Sequence, residues 1–467
     1  MEKYASVHIF LEIRMFLRNN EGRRHAMLKR KATDFLNNWK SGKRKSLIIT
    51  GARQVGKTFT VRMFAKEKYE TFYELNFLEN PELKTIFSGS LEADLILQLV
   101  RTYYADKPYV EGSTLIFLDE VQECPEAITA LKFLSKDSRF DVIASGAALG
   151  MAFNQVTSFP VGYVDYLDLT ALDFEEFLWA KGIEPDIIDS LRKHYVDRTK
   201  VHDALHIKFL SLLNEYLILG GMPEVLQVYA DTFDYVQADA VQRRLHRDYI
   251  SDIARFADPN SKIKSVSCYK SIPQQLSKEN RKFQYGIVEK GGTARKFESS
   301  VDWLDSAHFT VTANNVSKIE YPPEHFVKDN NFKLYTTDIG MLIAMYDVRL
   351  KAAVLMERDI EEQSGNLLLR TAKGGLYEAL AADFLYKKGY DKLYFYRNDS
   401  GTVEMEFLLP SNDGLIPLEI KAGRNATPSL NRILESDDVP YGIKFSSQNV
   451  GVSGKKITLP IYMMMFI

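Results

Sequence analysis

Residues 46–60 read Ser46-Leu47-Ile48-Ile49-Thr50-Gly51-Ala52-Arg53-Gln54-Val55-Gly56-Lys57-Thr58-Phe59-Thr60. Leu47, Ile48 and Ile49 form a short apolar run, and Gly51 to Thr58 fit the pattern G-x-x-x-x-G-K-[ST]. Glycines let the backbone wrap a polyphosphate, with the N–H groups of Gly51, Ala52, Arg53, Gln54, Val55 and Gly56 turned toward its oxygens. Lys57 is placed to reach the β- and γ-phosphates, and the Thr58 hydroxyl to ligate Mg²⁺. A bare Gly-Lys-Thr turn would carry no such meaning. What separates the two is context: an expected strand before the loop and an expected helix, Thr58 to Glu67, after it.

Working outward, Thr114 to Gln122 read TLIFLDEVQ. Four apolar residues carry Asp119 and Glu120 to the C-terminal end of a strand, the edge at which such sheets bind ligands. Asp119 is expected to hold the Mg²⁺ shell through water, and Glu120 to polarise an attacking water as general base. An adjacent acidic pair favours nucleoside triphosphate hydrolysis over kinase chemistry. A further strand, Phe140 to Ser145, ends in Ser145-Gly146. Ser145 either orients the lytic water or touches the γ-phosphate, or it simply opens a turn.

The 467 residues exceed one ordinary core, and 45% apolar with 26% charged residues is a soluble globular composition. Sixty basic against sixty-two acidic residues leave bulk charge silent about partners. Two cysteines, Cys124 and Cys268, suit a reducing compartment and form no C-x-x-C site. No apolar run approaches membrane-spanning length, so the expected location is cytoplasmic. Residues 1–26 read as an N-terminal extension. Across 27–185 the apolar runs Leu47–Thr50, Phe72–Phe77, Thr114–Leu118, Val142–Ser145 and Val164–Leu169 alternate with helical stretches, as in a parallel sheet covered on both faces. Residues 186–260 turn helical, with Phe209–Leu217 and Tyr235–Phe256 clearest. In 261–340, helices are expected at Ser271–Leu276 and Thr293–Ala307, then a β-like Phe309–Val316. The last segment, 373–467, opens with a helix, Leu376–Lys387. Strands are then expected at Leu393–Arg397, Val403–Leu409, Ile416–Lys421 and Tyr441–Phe445.

Together GARQVGKT (51–58), LDEVQECPEAITALKFL (118–134) and LDLTALDFEEFL (167–178) resemble a family of prokaryotic AAA-type P-loop ATPases. Members carry a C-terminal domain of uncharacterised function that is similar to the restriction-endonuclease fold. The resemblance extends through GGMPEV (220–225), ARKFESSVDWL (294–304), NFKLYTTDIGML (331–342) and PLEIKAG (417–423). It implies ATP as ligand, a tendency to homo-oligomers and a winged-helix-like middle. One position departs: after Phe159-Pro160-Val161-Gly162 the family usually places a cation, but here Tyr163 stands. If that cation stabilises the transferring phosphoryl group, fast hydrolysis is in doubt, with Arg53 and Arg139 as substitutes unless each is a surface or structural arginine.

The C-terminal segment offers Glu378 on a helix, Glu404 and Glu406 on a strand, then Glu419-Ile420-Lys421 on the next. At i and i+2, Glu419 and Lys421 share a face. Carboxylates for divalent ions and a lysine beside the attacked phosphate are what a metal-dependent nuclease needs. The set Glu378, Glu406, Glu419 and Lys421 resembles the restriction-endonuclease core, with Glu406 in the usual aspartate position. That substitution leaves a fold that only binds as the other reading. Residues 241–300 hold thirteen lysines and arginines against six acids. Arg281, Lys282, Arg295 and Lys296 are therefore expected phosphate contacts, unless the basic face is merely solvated. His202-Asp203-Ala204-Leu205-His206 imitates a zinc motif but lacks its glutamate and reads as an ordinary helix; Phe174, Phe177, Trp179 and Trp303 read as core.

The expected architecture is α/β: a P-loop parallel sheet with helices on both faces, a helical segment, a winged-helix-like middle and an α/β restriction-endonuclease-like end. The expected function is Mg²⁺-dependent ATP hydrolysis, acting on or bound to DNA through the C-terminal half. The alternative is a nucleotide-switched binding protein that grips a protein or nucleic acid without cleavage.

Overall fold

The computed structural model describes residues 28–42, 45–147, 160–257, 261–348, 350–351, 354, 367–423 and 427–467. The expected extension 1–26 and Phe159 lie outside them. Helix α1 (Lys31–Ser41) leads into β1 (Ser46–Thr50), α2 (Lys57–Lys68), β2 (Thr71–Asn76), α3 (Ala93–Tyr103) and β3 (Thr114–Asp119). Helix α4 (Pro125–Leu134), β4 (Asp141–Ser145) and β5 (Val164–Asp168) complete the first sheet. Its order is β2-β3-β4-β1-β5, every pair parallel. The inner strands β1, β3 and β4 are buried at every position and appear in the sequence as apolar runs, whereas the edge strands β2 and β5 alternate. Alternate residues separate into two cores. Leu47, Ile49, Leu115 and Phe117 face one, and Ile48, Ile116 and Leu118 face the other beside α3 and α4.

The first of those cores does not stop at the sheet. It continues through α5 (Phe174–Ala180), α6 (Pro185–Asp197), α7 (Asp203–Leu219), α8 (Pro223–Thr232) and α9 (Tyr235–Phe256). Phe174 and Phe177 stack within it beside Tyr216 and Phe384. The middle follows as α10 (Lys262–Leu276), a single turn α11 (Tyr285–Val288), α12 (Ala294–Ser306), then β6 (Thr310–Val316) and β7 (Val327–Thr336). Helix α10 begins well before the expected Ser271, because small polar residues such as Ser265 and Ser271 lie on its inward face and hide the apolar period.

The expected division between a winged-helix-like 261–340 and a separate C-terminal domain is not a division between sheets. Strand β6 pairs with β7 on one side and, in parallel, with β8 (Leu393–Arg397) on the other. One eight-stranded sheet results, ordered β12-β13-β11-β10-β9-β8-β6-β7. Its other members are β9 (Glu404–Ser411), β10 (Gly414–Ile420), β11 (Gly442–Ser446), β12 (Gly451–Ser453) and β13 (Lys456–Pro460). Short α13 (Ile339–Ile343) precedes the long α14 (Leu367–Lys387), and α15 (Pro428–Ile433) lies between β10 and β11.

A buried polar knot ties these parts together. Lys387 Nζ lies 2.9 Å from Asp338 Oδ2, 2.8 Å from Asp383 Oδ1 and 2.8 Å from Tyr216 Oη. It also donates to the Leu172 carbonyl at 3.2 Å. Asp338 accepts from Gly221 N at 2.7 Å, and Asp383 from Ile339 N at 2.9 Å. Gly221 has to be glycine, since a Cβ there would sit 2.0 Å from Leu172 O and 2.8 Å from Lys387 Nζ. Removing one member of a buried ion group strands the others unpaired and costs about 3–5 kcal/mol. Lys387→Met is therefore expected to lower the urea unfolding midpoint far more than Tyr216→Phe, which removes hydrogen bonds worth about 1 kcal/mol. Comparable midpoints would contradict this account of the knot.

Candidate nucleotide site

The phosphate loop is held from outside as well as by its own glycines. Gly51 takes φ +133°, and a Cβ on it would lie 2.0 Å from the Leu169 carbonyl just beyond β5. Gly56 caps α2 in the left-handed region, as does Gln54 within the loop. Arg30, immediately before α1, donates to Val55 O at 3.0 Å, Thr170 O at 2.7 Å and Glu176 Oε1 at 3.1 Å. Glu176 is itself fixed by the capping box that Asp173 forms at the start of α5. The loop is thereby joined to the segment that bears Leu172.

Lys57 is buried, and its Nζ donates to Gly51 O and Ala52 O, each at 2.8 Å. Burial pulls the ammonium down to about 8, against the opposing pull of Glu120 and Asp119. Three strand or helix ends converge on Asp119. Thr58 Oγ1 donates to its Oδ2 at 2.9 Å, and Asn76 Nδ2 to the same oxygen at 3.1 Å. Ser145 Oγ donates to the other oxygen, Oδ1. The geometry thus sets Ser145 against Asp119. Burial raises the Asp119 carboxyl, and the hydrogen bonds from Ser145 and Thr58 oppose that shift. Asn76 ends β2 in register with Asp119 and is oriented by Leu78 N and Glu79 N, which donate to its Oδ1.

Glu120 follows in a left-handed conformation, with Oε2 accepting from Gln122 Nε2 and 3.9 Å from Arg53 Nη2. Arg53 also pairs with Asp252 Oδ1 at 2.9 Å, and Gln54 Nε2 donates to Asp248 Oδ2 at 3.2 Å. Both carboxylates belong to α9. Asn76, Arg30, Asp248 and Asp252 were not among the expected site residues. Asn76 had a signal, a polar residue closing an apolar run; the other three contacts bridge segments far apart in sequence.

Two of the cation positions lie away from the loop. Tyr163 precedes Val164, which pairs with Ser46 at the start of β1. It therefore lies at the edge of the sheet opposite the loop, roughly 17 Å away along a five-residue strand, under the ammonium groups of Lys132 and Lys136. A side chain there does not reach this chain's own loop. Arg139 likewise pairs with Asp94 and Asp137 before β4 begins, and offers no substitute. Arg53 alone of the three lies in the site.

The C-terminal acids are brought together, but with cations among them. Glu378 accepts from Lys333 Nζ at 2.8 Å, from Tyr335 Oη and from Arg281. Burial opposes its ionisation, yet Arg281 and Lys333 outweigh this and hold the carboxyl at about 2. Lys333 also binds Glu404 at 2.6 Å. Lys421 Nζ lies 3.1 Å from both Glu406 and Glu419. Burial pushes Glu419 up to about 7 against the pull of Lys421, and its Oε2 is buried without a hydrogen-bond partner. Among the described residues, no group of three or more His, Cys, Asp or Glu is placed to hold a metal. Arg281 is thus an internal ion-pair partner rather than an exposed phosphate contact, and Lys296 pairs with Glu289. Lys282 is half-buried and Arg295 exposed. His206 binds Tyr462 and the Ser447 carbonyl, and His202 caps α7, so the HDALH pair is engaged elsewhere.

Residues 43–178 match a family model described as an AAA domain. Residues 210–352 and 373–463 match models described as domains of unknown function (DUF8612 and DUF4143). No curated protein matches the chain. Among solved structures, the Walker-type ATPase of Pyrococcus abyssi is 12% identical, covering 68% of this chain and 96% of its own, at a TM-score of 0.40. The ORC1 protein of Aeropyrum pernix in complex with DNA is 12% identical, with coverages of 71% and 93% and a TM-score of 0.29. Likenesses this slight say nothing about what the chain binds. Among the described residues, no helix is long and apolar enough to cross a membrane.

The lowered Lys57 pKa sets a pH dependence for any polyphosphate ligand. Raising pH through about 8 removes the proton that the ligand needs, so affinity falls from pH 7 to pH 9 and binding takes up protons in that window. Titrating a fluorescent ATP analogue in buffers of different ionisation enthalpy checks both. Lys57→Arg should abolish the proton uptake.

Proposed function

We propose that the chain binds ATP with Mg²⁺ and hydrolyses it, using the energy to change how its C-terminal half holds a partner. The observation that supports this best is the convergence of Thr58, Asn76 and Ser145 on the two oxygens of Asp119, beside Glu120 and the buried Lys57. The loop from Gly51 to Thr58 would cradle the phosphates with its N–H groups, and Lys57 would leave its loop carbonyls for the β- and γ-oxygens. A hydroxyl and a carboxylate 2.9 Å apart are hard oxygen donors of the kind Mg²⁺ takes, one or two from the protein and the rest from water and phosphate. The residues therefore fit that ion, which when bound would neutralise charge on the transferring phosphoryl group. Asn76 and Ser145 orient Asp119. Glu120 takes the proton of the attacking water.

We read 27–185 as the ATPase domain and 186–260 as a helical segment. The segments 261–340 and 373–467 form one C-terminal unit, since β6 and β8 share a ladder. The acid set of that unit does not fit a two-metal nuclease, because Arg281, Lys333 and Lys421 already balance its carboxylates. We therefore favour gripping without cleavage. DNA is the first partner to test, through basic residues such as the exposed Arg295 and the half-buried Lys282; a protein partner is the other outcome. Two buried free thiols, Cys124 and Cys268, suit a cytoplasmic protein.

ATP turnover by the full chain, with and without duplex DNA, tests the reading. Lys57→Ala should bind no ATP, whereas Glu120→Gln should bind it but turn over roughly a hundredfold more slowly. A wild type whose turnover matches Glu120→Gln would remove Glu120 as the base. Turnover indifferent to DNA would move the partner to the protein class.

A further inference from the structure

Helix α9 presents Asp248, Tyr249 and Asp252 on one side, at i, i+1 and i+4. All three touch the phosphate loop at the same two residues. Tyr249 Oη donates to the Arg53 carbonyl at 2.9 Å, Asp252 pairs with the Arg53 guanidinium, and Asp248 accepts from Gln54. Toward the C-terminal unit, the Tyr249 ring packs edge-on against Phe309 at 5.0 Å, and His246 stacks on Tyr269 of α10 at 6.1 Å. One helix therefore lies between the loop and the middle of the chain. It meets a loop built for a polyanion with two carboxylates.

We propose that Asp252 and a bound polyphosphate compete for Arg53, so that nucleotide binding releases α9 from the loop and α9 in turn sets nucleotide affinity. This rests on the nucleotide reading given above. Arg53 stands inside the loop, 2.9 Å from Asp252 and 3.9 Å from Glu120. A terminal phosphate carries more charge than either carboxylate and presents oxygens that match the guanidinium fork. Drawn to it, Arg53 leaves Asp252 half-buried, without its closest cation and facing an added anion. Both terms favour withdrawal of α9 toward water. The coupling is reciprocal: whatever presses α9 onto the loop from the C-terminal side weakens nucleotide binding by the factor with which nucleotide loosens α9. Asp252 is thus a positioning residue acting through Arg53. A partner gripped by the C-terminal unit gains a route to nucleotide exchange.

The experiment uses the full chain and MgATP, with equilibrium titration for affinity and amide hydrogen exchange across 248–255 for the helix. Asp252→Asn, nearly isosteric, should bind MgATP roughly three- to tenfold more tightly than wild type. Asp248→Asn, whose carboxylate accepts from Gln54 rather than from Arg53, should give a smaller gain. MgATP should speed exchange in α9 of wild type, while Asp252→Asn starts fast and changes little. Combining Arg53→Gln with Asp252→Asn should cancel the gain in affinity. Equal or weaker binding by Asp252→Asn, a gain that survives Arg53→Gln, or slower α9 exchange on adding MgATP would each overturn the coupling. If wild type fails to bind MgATP just as Lys57→Ala does, the nucleotide reading itself has failed and the coupling falls with it.

Discussion

A single ammonium group, that of Lys387, is the point on which the parts of this chain depend for being one body. It is fully enclosed, and two aspartates, a tyrosine hydroxyl and a carbonyl satisfy it. Those partners come from four places: the turn after β5, helix α7, the turn before α13, and α14 itself. An ion in low dielectric tolerates no loosening, because each displaced partner exposes an uncompensated charge. One continuous apolar core runs between the first sheet and the C-terminal sheet. The knot fixes them at one geometry. Through Asp173, Glu176 and Arg30 that geometry continues in a few steps to the Val55 carbonyl of the phosphate loop.

The two acidic centres solve opposite electrostatic problems. Around Asp119, neutral donors from Thr58, Ser145 and Asn76 hold a carboxylate without cancelling it, so its charge remains for a cation. Around Glu378, two basic side chains cancel the charge outright. Similar-looking motifs in sequence thus differ in what surrounds them. Hydroxyls and amides orient an acid, whereas arginine and lysine consume it. The C-terminal carboxylates Glu378, Glu406 and Glu419 are already paired with the protein's own cations.

What the sequence revealed follows from which constraints are local. The strands of the first sheet are legible to within a residue or two, because the inner three, buried on both faces, are apolar runs. Gly51 to Thr58, Asp119, Glu120 and Ser145 are likewise legible, since each sits at the end of its own apolar run. Strand β7 was hidden by Lys333, a lysine with no exposure at all that reads as surface when its acidic partners are out of view. Arg281 was misread for the same reason. Arg53 and Asp252 are 199 positions apart, and Arg30 and Glu176 are 146 apart. Nothing in one segment announces the other.

The parallel ladder between β6 and β8 bears on how the chain is made. Synthesis delivers β6 and β7 first, and the strand that completes β6 arrives only after α14 has been added. At about 5–20 residues per second, the growing polypeptide carries an open strand edge for several seconds, its N–H and C=O groups free to pair with a neighbour. On a crowded polysome, identical nascent chains would display the same edge side by side. That edge stays open from the emergence of Val316 to that of Leu393.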